Sequence, residues 1–170
     1  MIVQDINDGI REDQILKNGG KEKLINGDDI SPVQIERLKQ RTDIINEYSK
    51  KKENLLKKQM LVEIHVDSRV TDQRIDIFFY YRRGCIKSEK LNNILQKTIE
   101  AKYKKAQPSK VYGGNVTARD LFTLRNTSIT ASFIELGNIQ NPADQIRIME
   151  PNNRQAIANW LYDGILNYYK

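Results

Sequence analysis

The most regular pattern in the chain is Leu-Val-Glu-Ile-His-Val-Asp at 61–67, where apolar and polar residues alternate. A period of two is that of a half-buried strand. It puts Val62, Ile64 and Val66 on one face and Glu63, His65 and Asp67 on the other. Residues 75–81, rich in aromatic and branched side chains, predict a second strand. After a loop at Gly113-Gly114, strand-like segments follow at 121–125 and 130–136.

Between these strands the period lengthens. Ser31 as N-cap, Pro32 at the first helical position and Gln34 three after the cap open a helix. Val33, Ile35, Leu38, Ile44, Ile45, Leu55 and Leu56 carry it to about Lys58. Residues 88–104 predict another, with Leu91, Ile94, Leu95 and Ile99 on its apolar side. Asn141-Pro142 starts a third, with Asp144 near the positive end of the helix dipole. The last, about 152–168, places Ile157, Trp160, Leu161, Ile165 and Leu166 on one face, as a helix covering a sheet does. Interleaved strands and helices predict an α/β layered domain. Residues 1–30 show no sustained period, and their Asn18-Gly19-Gly20 and Asn26-Gly27-Asp28-Asp29 runs are turn signals. The expected organisation is a loop-like segment or insertion over 1–30 and one domain over 31–170.

Composition narrows the classes. A chain of 170 residues can bury one core. It holds no apolar run of about 18 residues, so no membrane span is expected. The acidic start lacks the apolar core of a signal peptide, so any export signal would be supplied elsewhere. The single cysteine, Cys85, excludes an internal disulfide framework. A formal net charge of +6 favours anionic partners, nucleic acid or an anionic cell wall. The densest basic run, Lys50-Lys51-Lys52 with Lys57-Lys58, has a plain explanation as a solvated helix face. No RNA-stacking motif or zinc-finger spacing is present, which disfavours nucleic acid.

Few residues carry candidate chemistry. His65, the sole histidine, lies on the polar face of a strand, near the strand end where α/β proteins expose functional groups. Alone it reads as a surface or hydrogen-bonded histidine. Glu135 shares a face with Ala131 and Phe133. A carboxylate so placed is expected to hold its proton more tightly, which suits a general acid/base; the plain alternative is a strand-end carboxylate in water. Cys85 follows Arg82-Arg83-Gly84, which favours a thiolate, yet no second histidine is there to act as its base. Asn115-Val116-Thr117 and Asn126-Thr127-Ser128 match the short glycosylation sequon.

Four segments in order resemble the zinc-dependent N-acetylmuramoyl-L-alanine amidases. They are Arg41 with Asn46; the strand ending Ile64-His65-Val66-Asp67; Phe79-Tyr80-Tyr81 followed by Ser88 and Leu91; and the long set at 124–165. The last comprises Leu124-Arg125-Asn126-Thr127, Phe133-Ile134-Glu135-Leu136-Gly137-Asn138, Asn141-Pro142-Ala143-Asp144, Ile157-Ala158 and Gly164-Ile165. The resemblance covers roughly 31–170. It implies an α/β fold of the phosphorylase/hydrolase-like amidase type, a mixed sheet flanked by helices. It implies peptidoglycan as substrate, the cell envelope or exterior as location, and zinc as cofactor.

In this family two histidines and a glutamate hold the zinc. His65 matches the later histidine and Glu135 the catalytic glutamate, which passes a proton from the attacking water to the leaving L-alanine nitrogen. The family's Gly-His-Gly-Gly turn and helical glutamate ligand have no counterpart here, so the chain is expected to lack the opening strand and helix and to show an open sheet edge. Glu63 stands for the usual serine and Asp67 for the usual asparagine. Both flank His65, to orient it or to act as substitute ligands, and Arg125 is a further supporting candidate. Asn138 stands where many relatives have an aromatic residue. Three readings follow: an amidase, possessing little activity as this chain; a catalytically silent wall-binding or regulatory module; or a likeness of fold alone, with a basic surface for another polyanion.

Overall fold

The structure, a computed structural model, describes residues 9–11, 14–16, 22–68 and 73–170. Its centre is a four-stranded mixed sheet. In chain order after a small hairpin of β1 (Gly9–Arg11) and β2 (Gln14–Leu16), the elements are α1 (Gln34–Lys52), β3 (Met60–Asp67), β4 (Phe78–Tyr81) and α2 (Ile86–Ala106). Then come β5 (Asn115–Ala118), α3 (Phe122–Asn126), β6 (Thr130–Asn138), α4 (Pro142–Met149) and α5 (Pro151–Tyr169). The strand order is β3-β6-β4-β5. β3 runs parallel to β6, β4 antiparallel to β6, and β5 parallel to β4. This is the mixed sheet flanked by helices that the pattern and the resemblance imply.

Apolar side chains explain the layers. On the back of the sheet, Phe79 and Ile134 meet Leu91, Leu95 and Ile99 of α2 and Ile157 and Leu161 of α5 in one buried cluster. α2 and α5 approach closely because position 164 is glycine: a Cβ there would lie 2.8 Å from Leu95 Cδ2. On the front, Tyr80, Ala131 and Leu124 of α3 form a smaller cluster, with Leu61 and Phe133 against it.

Two polar joints hold the central strand. The Ser88 hydroxyl accepts the Ala131 amide at 3.0 Å, and the Ser132 hydroxyl donates to Asn92 Oδ1 at 2.7 Å, pinning α2 to β6. These groups are buried, where an unmade hydrogen bond is costly. At the far end, Asp144 is fully buried and accepts the amides of Ile75 and Asn138, each at 2.9 Å. Arg147 reaches Asp144 at 3.1 Å and Asp76 at 3.1 Å, and donates to the carbonyls of Ile75, Asp76 and Leu136. Asn141 caps α4 as predicted, accepting the Asp144 amide, and Asp144 lies in the first turn of α4, as expected, while also serving as a buried junction.

Several expectations need correction. α1 begins at Gln34, not Pro32, because the Ser31 hydroxyl accepts the Val33 amide and donates to Glu36, closing a turn before the helix. It stops at Lys52, so Leu55 and Leu56 lie outside it. Residues 121–125 are largely helical: Leu121 and Leu124 are three apart, a spacing that one helical turn also satisfies. Residues 75–77 are buried but lie outside the ladder, held by Asp144 and Arg147. β5 and the β1–β2 hairpin were not foreseen. The turn at 26–29 is present, with Gly27 at φ +90°, and it seats Leu24, which is buried. The turn expected at 18–20 lies outside the described residues.

Candidate functional site

Register brings the candidate residues together. Across the front face, His65 of β3, Glu135 of β6 and Phe78 of β4 are neighbours in one row. Two residues down each strand, Glu63, Phe133 and Tyr80 form the next row. Residues two apart on a strand share a face, so the alternation at 61–67 and at Ala131, Phe133 and Glu135 delivers one patch. Glu135 is partly buried within it.

Neighbouring side chains fix the histidine. The His65 ring stacks on Phe133, with centroids 3.9 Å apart and planes 10° from parallel. Its Nε2 stands 3.8 Å from Glu63 Oε1. Glu63 in turn accepts a 2.6 Å hydrogen bond from the Thr123 hydroxyl of α3. Arg119 sits 4.8 Å above the Tyr80 ring at the side of the second row.

The other candidates fall elsewhere. Between His65 and Asp67 the β3–β6 register shifts, so that Asp67 partners Asn138. Asn138 is buried, and its side-chain amide donates to the Gln73 carbonyl, a support for the strand end. Arg125 pairs with Asp120 at 2.6 Å on the exposed side of α3. Cys85 caps α2, apart from the patch. Burial pushes its thiol up, but hydrogen bonds from Ser88 and the Arg82 charge outweigh this and bring it below the usual value. The sequon at 126–128 is occupied structurally: Asn126 donates to the Phe122 carbonyl and Thr127 is buried.

Thr123 and Arg119 escaped the sequence reading because they come from segments far along the chain. Phe133 was visible as a face-mate of Glu135, but its stacking on His65 depends on the parallel register.

A catalytic zinc needs three protein ligands. Among the described residues no three of His, Cys, Asp and Glu are placed to hold a metal ion. The one imidazole has its Nε2 turned towards Glu63 and its face against Phe133. These residues do not by themselves fit a zinc centre.

The mixed sheet thus sets a carboxylate, Glu135, and a histidine, His65, in register on neighbouring strands. The family profile described as N-acetylmuramoyl-L-alanine amidase matches residues 2–167, and the chain belongs to that family. An uncharacterised cell wall amidase of Bacillus anthracis is 30% identical over 117 residues, which is 67% of this chain and 22% of that protein. The chain thus spans only about a fifth of the length of that relative. Among solved structures, an N-acetylmuramoyl-L-alanine amidase from Clostridium difficile 630 is similar with a TM-score of 0.65 at 24% identity, over 84% of this chain and 67% of that one. The catalytic domain of the amidase CwlV from Bacillus (Paenibacillus) polymyxa var. colistinus gives 0.59 at 22% identity, over 84% and 69%. At such identities these two likenesses show the fold.

Proposed function

We propose that the protein acts on peptidoglycan in the cell envelope or outside the cell, as a hydrolase of the amide between N-acetylmuramic acid and L-alanine. The observation that carries this reading is the register of Glu135 between His65 and Phe78 on the front face of an amidase-family sheet. Residues 31–170 supply the catalytic-domain portion. Glu135 carries the proton. It takes one from the water attacking the lactyl carbonyl and returns it to the alanine nitrogen as the C–N bond breaks, leaving a carboxylate and a free amine. His65, stacked on Phe133 and facing Glu63, borders the reacting amide. Glu63 and Thr123 hold the imidazole's position, and Asp67 and Arg125 support the strand end and α3.

The family is generally zinc-dependent, and zinc would supply Lewis-acid polarisation of the carbonyl. Because the described residues do not complete a zinc centre, this chain alone is expected to hydrolyse slowly. The same observation favours a second reading, a catalytically silent module that binds peptidoglycan.

Incubating the chain with purified peptidoglycan, with and without added zinc, separates the two. Release of new alanine amino groups, abolished in Glu135→Gln while wall binding persists, supports the amidase. Wall binding without amine release in any condition supports the silent module, and neither binding nor release would sink both readings.

A further inference from the structure

The basic run noted in the sequence has surroundings that a solvated helix face does not explain. α1 ends in Lys50, Lys51 and Lys52, and the chain then turns, the amides of Leu55 and Leu56 both donating to the Lys52 carbonyl. The turn points its leucines outward: Leu55 is 72% exposed and Leu56 48%. Lys57 and Lys58 follow before β3 begins. From 50 to 58 five lysines stand against one carboxylate, Glu53, and one of the five, Lys51, pairs with Glu47 a turn back at 2.6 Å.

Beside this turn opens a cavity of about 780 Å³, lined by Ile45, Tyr48, Leu56, Met60, Leu61 and Tyr169. Its walls are mostly apolar, and Tyr48 is itself largely exposed. Lysines mark its edge. Lys58 Nζ lies 4.8 Å over the Tyr169 ring, and Lys52 Nζ 5.8 Å over Tyr48. Exposed leucines, an open apolar groove and a basic rim therefore occupy one corner of the molecule, at the start of β3.

We propose that this corner docks on the surface of an anionic lipid bilayer. Lysines near such a surface are attracted by its negative potential, and apolar side chains on a basic face settle at the boundary of headgroups and acyl chains. Each half of the feature finds its complement in that one partner. A soluble polyanion would engage the lysines and leave Leu55, Leu56 and the groove in water. A second copy would set the same positive corner against itself, and like charges brought together across an interface are disfavoured. The docking is peripheral, since no helix among the described residues is long and apolar enough to cross a membrane.

The inference is independent of the amidase reading, and it sets a geometry for it. A strand advances about 3.3 Å per residue, so His65 stands about 17 Å along β3 from Met60. The docked protein holds its front-face patch away from the lipid, at the opposite end of the strand.

The test is flotation of the whole chain with vesicles of phosphatidylcholine alone and of equimolar phosphatidylcholine and phosphatidylglycerol. The chain is expected to float with the anionic vesicles only, and to be released by rising salt. Replacing Lys51, Lys52, Lys57 and Lys58 by Gln should abolish binding, at roughly fivefold per lysine. Leu55→Ser with Leu56→Ser keeps the charge and should weaken binding about tenfold. Circular dichroism confirms the fold of both variants. Equal flotation with both vesicle types, or none with either, overturns the proposal. So does a leucine variant that binds like the unaltered chain, because the corner would then be a polyanion site.

Discussion

β3 and β6 lie side by side, and both carry alternating sequences, yet they meet different fates. In β6, Ile134 has no exposed surface: β3 and β4 flank it, and α2 and α5 cover the back. In β3, Met60 and Val62 reach that back cluster, but Ile64 is 57% exposed and Val66 is exposed as well. Among the described residues β3 has a strand neighbour on one side only. Its polar residues are the better covered: Glu63, His65 and Asp67 are all partly buried while the apolar pair looks out. Alternation decides which face a side chain takes, whereas cover depends on what other elements bring to that face.

This contrast can be broken at several points, and denaturant unfolding monitored by circular dichroism reads each. The largest loss is expected from Asp144→Ala, which takes away one of the two carboxylates paired with Arg147, leaving only Asp76, and frees the amides of Ile75 and Asn138 at the end of β6. Breaking such a buried pair costs about 4 kcal/mol; a loss below about 1 kcal/mol would mean that the joint is not what seats β6. Next, Ile134→Ala should cost about 3 kcal/mol through the cavity it opens. Gly164→Ala drives a methyl into Leu95 and should cost about 1.5 kcal/mol by overpacking the helices that cover β6.

Smaller effects sharpen the comparison on the β3 side. Asn46 ties α1 to the chain leading into β6: its amide donates to the Asn126 carbonyl at 2.8 Å, and its oxygen accepts from the Ser128 amide and hydroxyl. Asn46→Ala should cost about 1 kcal/mol. Ile64→Ala should cost at most about 0.5 kcal/mol, as surface changes do. If it instead matched Ile134→Ala, the back of β3 would be covered in solution.

The strands and long helices were legible because their periods are long enough to be unambiguous, as at 61–67 and 88–104. Short elements were not. Leu121 and Leu124 fit a strand segment or one helical turn equally, and only packing on Tyr80 and Ala131 decides. The helix expected to run to Lys58 was read from Leu55 and Leu56 as apolar helix positions, but the chain turns after Lys52 and leaves both exposed. At the site, the shared face of Glu63 and His65, and that of Phe133 and Glu135, followed from alternation. That the two pairs are neighbours did not, because parallel register between distant segments leaves no local signal. The serine and asparagine of the family-like segments proved legible in another way: Ser88 and Asn46 are joints between elements, each making a hydrogen bond to backbone far away in sequence.

The strand order has a consequence for how the chain is made. β3 and β4 are never paired with each other; both pair with β6, which begins at Thr130. A ribosome adds about 5–20 residues per second, so β3 waits on the order of several seconds after Asp67 emerges before its partner exists. During that interval Leu61, Val62, Ile64 and Val66 form an unpaired apolar ribbon, and the sheet's contacts, being distant in sequence, close slowly. Overproduction at low temperature, or alongside a chaperone that holds extended segments, should therefore raise the soluble yield of this chain.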